Sequence, residues 1–153
     1  IDLAKQILEE SSGVKMNPGV VGGNGSGSGS SSGGSSSSSS SERSVSTSAD
    51  FVNYLNQKRA EEGLGELSWS DSMASTATER ASEIVDNFSH SGMRNCNAEI
   101  ILQSGSGSAS SWYNQFCNSS GHRANMMDDL WGSAAAAYCK VNGIYYVVVM
   151  FDL

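Results

Sequence analysis

The sequence predicts an α+β domain, and three observations lead to this prediction. Two stretches carry apolar residues at helical spacing, 49–62 and 70–86, and therefore predict helices. The dipeptide Asn142-Gly143 lies between two runs rich in aromatic and β-branched residues, a pattern typical of a β-hairpin. The segment 22–41 holds only Ser, Gly and Asn, so it offers no apolar side chain to a core. We expect the folded region to be 48–153, which is long enough for one core.

The segment before the first helix is expected to contribute nothing to the core, and each long helix is expected to begin at a serine cap. Residues 1–21 are expected to be an N-terminal remnant with a short amphipathic helix, and 22–47 a flexible Ser/Gly-rich linker. Ser48 is a favourable N-cap for the helix over 49–62. Ser70 is expected to cap the second helix in the same way.

Shorter elements are expected between the second helix and the hairpin. A strand over 98–102 is followed by a Ser/Gly-rich loop over 104–111. The alanines 134–137 favour helix by propensity, but they lead directly into the hairpin, so we expect strand pairing to override that propensity. The remaining expected elements are two short helices and the two hairpin arms, at 110–116, 121–127, 138–141 and 144–151.

Composition argues against two kinds of partner. The 153 residues include 9 basic and 16 acidic side chains, so the chain lacks the clustered positive charge that nucleic-acid binding needs. The longest apolar run, 145–151, is too short to cross a bilayer. The sequence begins at Ile1 rather than Met, so we expect a processed product or an excised piece, with any signal or anchor lying upstream. We expect this chain to be a monomer.

The chain's two histidines are its most chemically capable residues. His90 and His122 each lie among small residues near the end of a predicted helix, so we expect both to face a cleft. Glu99 is the acid nearest to His90 with apolar neighbours, and two imidazoles with a carboxylate suit Zn²⁺ or another divalent metal. The alternative is that both histidines are surface or capping residues that hold no metal.

A series of short motifs then occurs in an order that is typical of one family. The motifs are Asn56-Gln57-Lys58-Arg59, Gly63-Leu64-Gly65-Glu66-Leu67-Ser68-Trp69, Glu79-Arg80-Ala81-Ser82-Glu83, His90-Ser91-Gly92, Ala98-Glu99-Ile100, Trp112 and Gly121-His122-Arg123-Ala124-Asn125-Met126. With them, residues 48–153 resemble the CAP superfamily of cysteine-rich secretory proteins, antigen 5 and plant pathogenesis-related 1 proteins. The resemblance is greatest to its bacterial SCP-like extracellular branch.

The resemblance implies a three-layer α-β-α sandwich with a central antiparallel sheet and a large cleft. His90, Glu99 and His122 fall on three of the family's cleft positions. His90 and His122 are expected to hold Zn²⁺ or another divalent metal, with Glu99 either as a third ligand or as a residue that orients a ligand. Gln115 stands where animal and plant members have a fourth residue, an acid, so we expect modest metal affinity. The further cleft-lining residues that the resemblance implies are Ser91, Gln115, Ser120 and Asn125.

The three cysteines allow two interpretations, one disulfide or three free thiols. Cys96 and Cys117 lie in the loops that lead to Glu99 and to His122, so a disulfide between them would brace the rim of the cleft. Three reduced cysteines are the equally favoured alternative. Cys139, in a hairpin arm, is expected to be buried and unpaired.

Three functional interpretations remain, and the first is favoured. The resemblance implies an extracellular or cell-surface protein, and we expect a non-enzymatic binding module for a small-molecule, lipid or cell-wall ligand. The alternative is a metal- or His/Glu-dependent hydrolase or protease acting on extracellular or cell-wall substrates. It has less support, because the folded region has no Gly-x-Ser-x-Gly elbow and no third strong metal ligand. In the third interpretation both histidines only form hydrogen bonds within a packed interface.

Overall fold

Four helices lie within residues 43–153, the part of the chain that the computed structural model describes. They are α1 (Ala49–Glu61), α2 (Asp71–Asp86), α3 (Ala109–Phe116) and α4 (Ser120–Met126). The two long and two short helices that the sequence predicts are confirmed. The predicted N-terminal helix and the predicted linker as far as residue 42 lie outside the described residues.

Serine caps begin both long helices, as predicted. The Ser48 hydroxyl accepts a hydrogen bond from the backbone N–H of Phe51 at 3.3 Å, and the Ser70 hydroxyl accepts one from Met73 at 3.1 Å. These bonds satisfy amides that have no partner within the helix. α1 ends just before Gly63, whose φ of +78° is a left-handed conformation that glycine adopts easily.

One sheet runs through the middle of the domain. Its strands are β1 (Ser44–Thr47), β2 (Ser68–Trp69), β3 (Ala98–Ser104), β4 (Ser133–Val141) and β5 (Ile144–Asp152). The strand order is β1-β4-β5-β3, and β2 also pairs with β4. All pairings are antiparallel except the short one between β2 and β4, which is parallel. The sheet is therefore antiparallel, as predicted, apart from that two-residue strand.

The structure corrects the predicted end of the linker. Residues 44–47 were expected to belong to it, but they form β1 and pair with β4, from Ser44 opposite Lys140 to Thr47 opposite Ala137. Strand pairing uses backbone groups, so a Ser-rich composition does not reveal a short strand at a sheet edge. Order in the described chain thus begins before Ser48, the position that the sequence suggested.

The hairpin forms where the sequence predicts it. Asn142 and Gly143 have φ of 52° and 82°, the positive values that a two-residue turn between strands requires. β4 and β5 pair along their full lengths, from Ser133 opposite Asp152 to Val141 opposite Ile144. The alanines 134–137 lie within β4 and are fully buried, so strand pairing does override their helical propensity.

A separate hydrophobic core lies on each face of the sheet. On one face, α2 packs against the side chains of Ile101, Val148 and Met150. On the other, α1 and α3 pack against Val149 and Phe151. Helices on both faces confirm the predicted three-layer α-β-α sandwich.

A buried arginine fastens the end of α4 to α1. Arg59 is 1% exposed, and its Nη1 donates to the carbonyl oxygens of Met126 at 2.8 Å and Asp128 at 3.0 Å. Its Nε donates to the carbonyl of Gly65 at 2.9 Å. Burial lowers the pKa of Arg59, although an arginine remains charged in proteins. One side chain thus satisfies two carbonyl groups at the end of the helix that carries His122 and one in the connection after α1.

The first prediction concerns this contact. Replacing Arg59 with Met removes the donors and leaves buried carbonyls unsatisfied, so we expect the free energy of unfolding to fall by about 3 kcal/mol. Urea denaturation followed by circular dichroism measures the change. Lys58→Met is the matched control, because it removes the same charge from a side chain whose contact with Glu61 is 3.7 Å long and partly exposed. It should cost less than about 0.5 kcal/mol. Equal losses in the two variants would contradict this role of Arg59.

Candidate functional site

Glu99 is the centre of a buried polar cluster between α2 and β3. It lies opposite Met150 in the sheet, on the face that α2 covers, and its side chain is 0% exposed. Arg80 of α2 donates from Nε to Glu99 Oε1 at 2.8 Å and from Nη2 to Oε2 at 2.6 Å. This two-point contact matches the fork of a guanidinium to a carboxylate. The two opposite charges are therefore buried as a directly bonded pair.

His90 joins the cluster from the loop that follows α2. Its Nδ1 lies 2.8 Å from Glu99 Oε2, and its side chain is 4% exposed. Arg80 also donates from Nη2 to the carbonyl of Ser89 at 2.8 Å, which fixes the backbone next to His90. The structure thus brings His90 and Glu99 into direct contact, and adds Arg80, which was not among the predicted site residues.

Arg80 could have been found from its position in the helix. It lies on the same side of α2 as Met73, Ala77 and Ile84, and it is 2% exposed. An arginine on the buried side of a helix needs an acidic partner in the core, which is the signal that the sequence analysis passed over. Burial by itself would lower the pKa of Arg80, but the hydrogen bonds and negative charges of Glu99 and Glu83 raise it above its ordinary value.

Exposed ion pairs extend the cluster to the surface. Arg80 Nη1 donates to Glu83 Oε1 at 3.0 Å, and Arg94 donates to Glu83 Oε2 and to Glu79 Oε1, each at 2.8 Å. The hydrogen bond from Arg94 is the main reason that the pKa of Glu83 lies below its ordinary value. Arg94 belongs to the loop over 87–97, so these contacts fasten the His90 loop to α2. Because they are solvent-exposed, each contributes little free energy.

His122 is buried in a different environment. It is 3% exposed on α4, and its ring meets the ring of Phe116 edge to face with centroids 5.1 Å apart. Asn125, on the same helix, is fully buried, and its backbone carbonyl accepts a hydrogen bond from Trp131 Nε1 at 2.9 Å. α4 contacts β3, the strand of Glu99.

Both histidines are buried, since His90 is 9% exposed and His122 is 3% exposed as whole residues. Gln115 donates to the Ser104 hydroxyl at 2.8 Å. Ser104 and Glu99 are at opposite ends of β3, which at the usual rise per residue separates their Cα atoms by about 16 Å. Gln115 therefore does not join Glu99.

Two serines predicted to line the cleft lie at the surface. Ser91 Oγ makes a 2.9 Å hydrogen bond with Ser89 Oγ on an exposed part of the His90 loop. Ser120 is exposed as the first residue of α4. The carboxylate of Glu99 is bonded instead to Arg80 and His90.

The surroundings of Glu99 do not fit a three-ligand metal site that uses its carboxylate. Both of its oxygens are bonded to Arg80, a permanent cation that would repel a divalent ion. Across residues 43–153, no three His, Cys, Asp or Glu side chains are grouped so that they would hold one ion. The carboxylate instead neutralises the protein's own buried arginine.

The hypothesised Cys96–Cys117 bridge is absent, and all three cysteines are free thiols. Cys96 packs against the core on the α2 face of the sheet, whereas Cys117 packs against the core on the other face. Burial raises the pKa of the Cys96 thiol to about 12, so little reactive thiolate forms there. Cys139 is fully buried and free, as predicted.

The second prediction tests the buried ion pair. Glu99→Gln removes the buried partner of Arg80 and leaves only Glu83, whose side chain is 42% exposed, to offset the charge, so we expect a loss of about 3 kcal/mol in unfolding free energy. Glu79→Gln is the control, because it makes the same change at a carboxylate that is 61% exposed, and should cost less than about 1 kcal/mol. The double variant Arg80→Met, Glu99→Leu should recover much of the loss, since no buried charge remains. Chemical denaturation of the four proteins measures this. Equal costs for the two Gln variants would show that the pair does not stabilise the fold.

The third prediction concerns metal. When metal-stripped protein is titrated with zinc or calcium, we expect no saturable change in the NMR signals of His90 or Glu99. Either ion must displace Arg80 to reach Glu99, and must open the packing around His90, whose side chain is 4% exposed, to reach its ring. Thermal unfolding of the same samples should not shift upwards, as it would if an ion bound the folded state. Saturable shifts centred on His90, Glu99 and His122 would contradict this expectation and establish a metal site.

Comparisons with known proteins agree with this architecture. The sequence pattern of the family described as "CAP: Cysteine-rich secretory protein family" matches residues 52–151. An outer surface protein of Borrelia burgdorferi is similar in structure, with a TM-score of 0.55 and 15% identity, over 71% of this chain and 96% of that one. A cysteine-rich secretory protein of Staphylococcus aureus has a TM-score of 0.51 and 12% identity, over 66% of this chain and 36% of that one.

Two further observations accompany these matches. No curated protein matches the chain. Among residues 43–153, none of the helices combines the length and the apolar character that a membrane crossing requires. Since the family pattern covers most of the folded region, the chain belongs to the CAP family of cysteine-rich secretory proteins.

Proposed function

We propose that the domain is a non-enzymatic binding module that acts outside the cell. The observation that carries this proposal is the state of Glu99, whose side chain is 0% exposed and whose two oxygens are bonded to Arg80 and His90. A general base must come within hydrogen-bond reach of a substrate proton. A buried carboxylate already paired with a guanidinium does not meet that requirement.

The polar cluster is better suited to holding the fold together. It links α2, β3 and the loop of His90 through one arginine and one carboxylate. His122, which is 3% exposed beside Phe116, is likewise placed for packing. We assign both histidines to the framework, and binding to the outer surface of the domain.

Placement outside the cell has support from the comparisons and from charge. The family's description refers to secretory proteins, and the similar Borrelia burgdorferi structure is of an outer surface protein. A net charge of −7 favours solubility and disfavours polyanionic partners. A small molecule, a lipid or a cell-wall component is the kind of ligand that we propose.

The fourth prediction tests binding against hydrolysis. The full chain is mixed with insoluble peptidoglycan and, separately, with phosphatidylcholine vesicles, and both the pellet and the soluble products are analysed. We expect the protein to sediment with at least one of the two without releasing fragments or fatty acids. The double variant His90→Ala, His122→Ala should lose several kcal/mol of stability but still sediment at temperatures where it is folded.

Two outcomes would contradict the proposal. If wild-type protein releases products and the double variant folds normally but releases none, the histidines belong to a hydrolase. If wild-type protein sediments with neither material, the domain is not a binding module for either class of ligand.

A further inference from the structure

A pocket of about 380 Å³ lies where β1 leads into α1. Its Trp112 and Tyr138 pack on the opposite face of the sheet from Glu99. Its volume falls in the range of small-molecule sites. The Ser/Gly-rich loop between β3 and α3 forms its opposite wall. The lining residues are Thr47, Ser48, Ala49, Asp50, Gly107, Ala109, Trp112 and Tyr138.

The wall formed by the Ser/Gly-rich loop is held in place. Trp112 Nε1 donates to the carbonyl of Ser106 at 2.6 Å, which ties the indole to the loop. A Cβ at Gly107 would lie 2.5 Å from the hydroxyl of Tyr145, so any larger residue there would displace the Tyr145 ring from the loop. Gln115 donates to the Ser104 hydroxyl, where the loop leaves β3. The pocket is therefore a formed feature of the fold, and a ligand would not have to order it.

The lining combines ring faces with oxygen-bearing groups. Trp112 and Tyr138 contribute aromatic carbon, while Thr47 and Ser48 contribute hydroxyls. Asp50 contributes an exposed carboxylate, which forms strong hydrogen bonds with hydroxyl donors. None of the lining residues is Lys, Arg or His, so nothing in the pocket would balance the charge of a phosphate or a carboxylic acid.

We propose that this pocket binds a neutral saccharide. A sugar ring presents an apolar face of C–H groups for an aromatic side chain and hydroxyls around its edge for polar groups. Tyr138 would meet the apolar face, and Asp50 and Thr47 would bond the hydroxyls. This inference rests on the proposed function, because it names the ligand class of a binding module.

Neither a different ligand in this pocket nor a different pocket for the saccharide fits the geometry as well. A quaternary ammonium ion needs open ring faces around it. Here the rings of Trp112, Tyr138 and Tyr145 pack against one another with centroids 5.4–5.8 Å apart. Trp112 is only 2% exposed, so of the aromatic lining residues only the half-buried Tyr138 can meet a ligand, which suits one sugar face but does not surround a cation. A second pocket, of about 500 Å³ beside α1, has no aromatic lining residue, and its Asn56 is bonded to the backbone of Leu67.

The fifth prediction tests the saccharide. Isotope-labelled full chain is titrated with chitotriose, a neutral trimer of N-acetylglucosamine, and followed by amide NMR. We expect saturable shifts at 47–50, at Gly107 and at the indole N–H of Trp112. Asp50→Asn should weaken binding about tenfold or more, since it removes a charged hydrogen-bond acceptor. Asp71→Asn, the same change in the first turn of α2 and outside the pocket, should leave the affinity unchanged.

The remaining outcomes decide against the inference. Absence of shifts at millimolar chitotriose, shifts centred elsewhere, or equal effects of the two Asn variants would each overturn it. Stronger binding of choline chloride than of chitotriose would assign the pocket to a cation instead. If chitotriose fails while the chain still sediments with peptidoglycan or vesicles, only the saccharide inference falls. If chitotriose is cleaved, the proposed non-enzymatic function falls.

Discussion

The ion pair between Arg80 and Glu99 determines how α2 sits against the sheet. Either charge alone in the core would be strongly unfavourable, so each residue requires the other in one geometry. That geometry also sets the path of the chain after α2, because the same guanidinium bonds the carbonyl of Ser89 and the carboxylate contacts His90. Glu99 and His90 therefore have a structural role, which is to hold α2, β3 and the loop after α2 together.

Local sequence signals predicted most of the fold. α1 and α2 follow from apolar periodicity and serine caps, and the hairpin follows from Asn142-Gly143, because each signal acts within a few residues. Predicting strand for the alanines 134–137 also required their position next to the hairpin, because their own preference is helical and pairing with neighbouring strands decides the outcome. The three-layer arrangement came from the family resemblance, because periodicity alone does not say on which face of a sheet a helix packs.

What the sequence did not reveal depends on partners far away in the chain. β1 carries no apolar pattern and exists only because β4 pairs with it. Arg80 was overlooked because its partner lies 19 residues further on and an arginine is usually exposed. The Cys96–Cys117 hypothesis failed because spacing along the chain does not show which face of the sheet each thiol joins. The burial of His90 and His122 was not predicted either, because the exposure of a side chain is set by tertiary packing and not by its neighbours in sequence.

The sheet also separates two parts of the protein that can diverge independently during evolution. Substitutions that share no contacts combine additively, and the cores on the two faces are divided by β4, whose four alanines reach either side only with methyl groups. The Arg80–Glu99 pair lies on one face, while Trp112 and Tyr138 pack on the other. A lineage can thus accumulate changes around the second face without disturbing the buried charges on the first. Such a division accords with a fold that is retained between structures at 15% sequence identity.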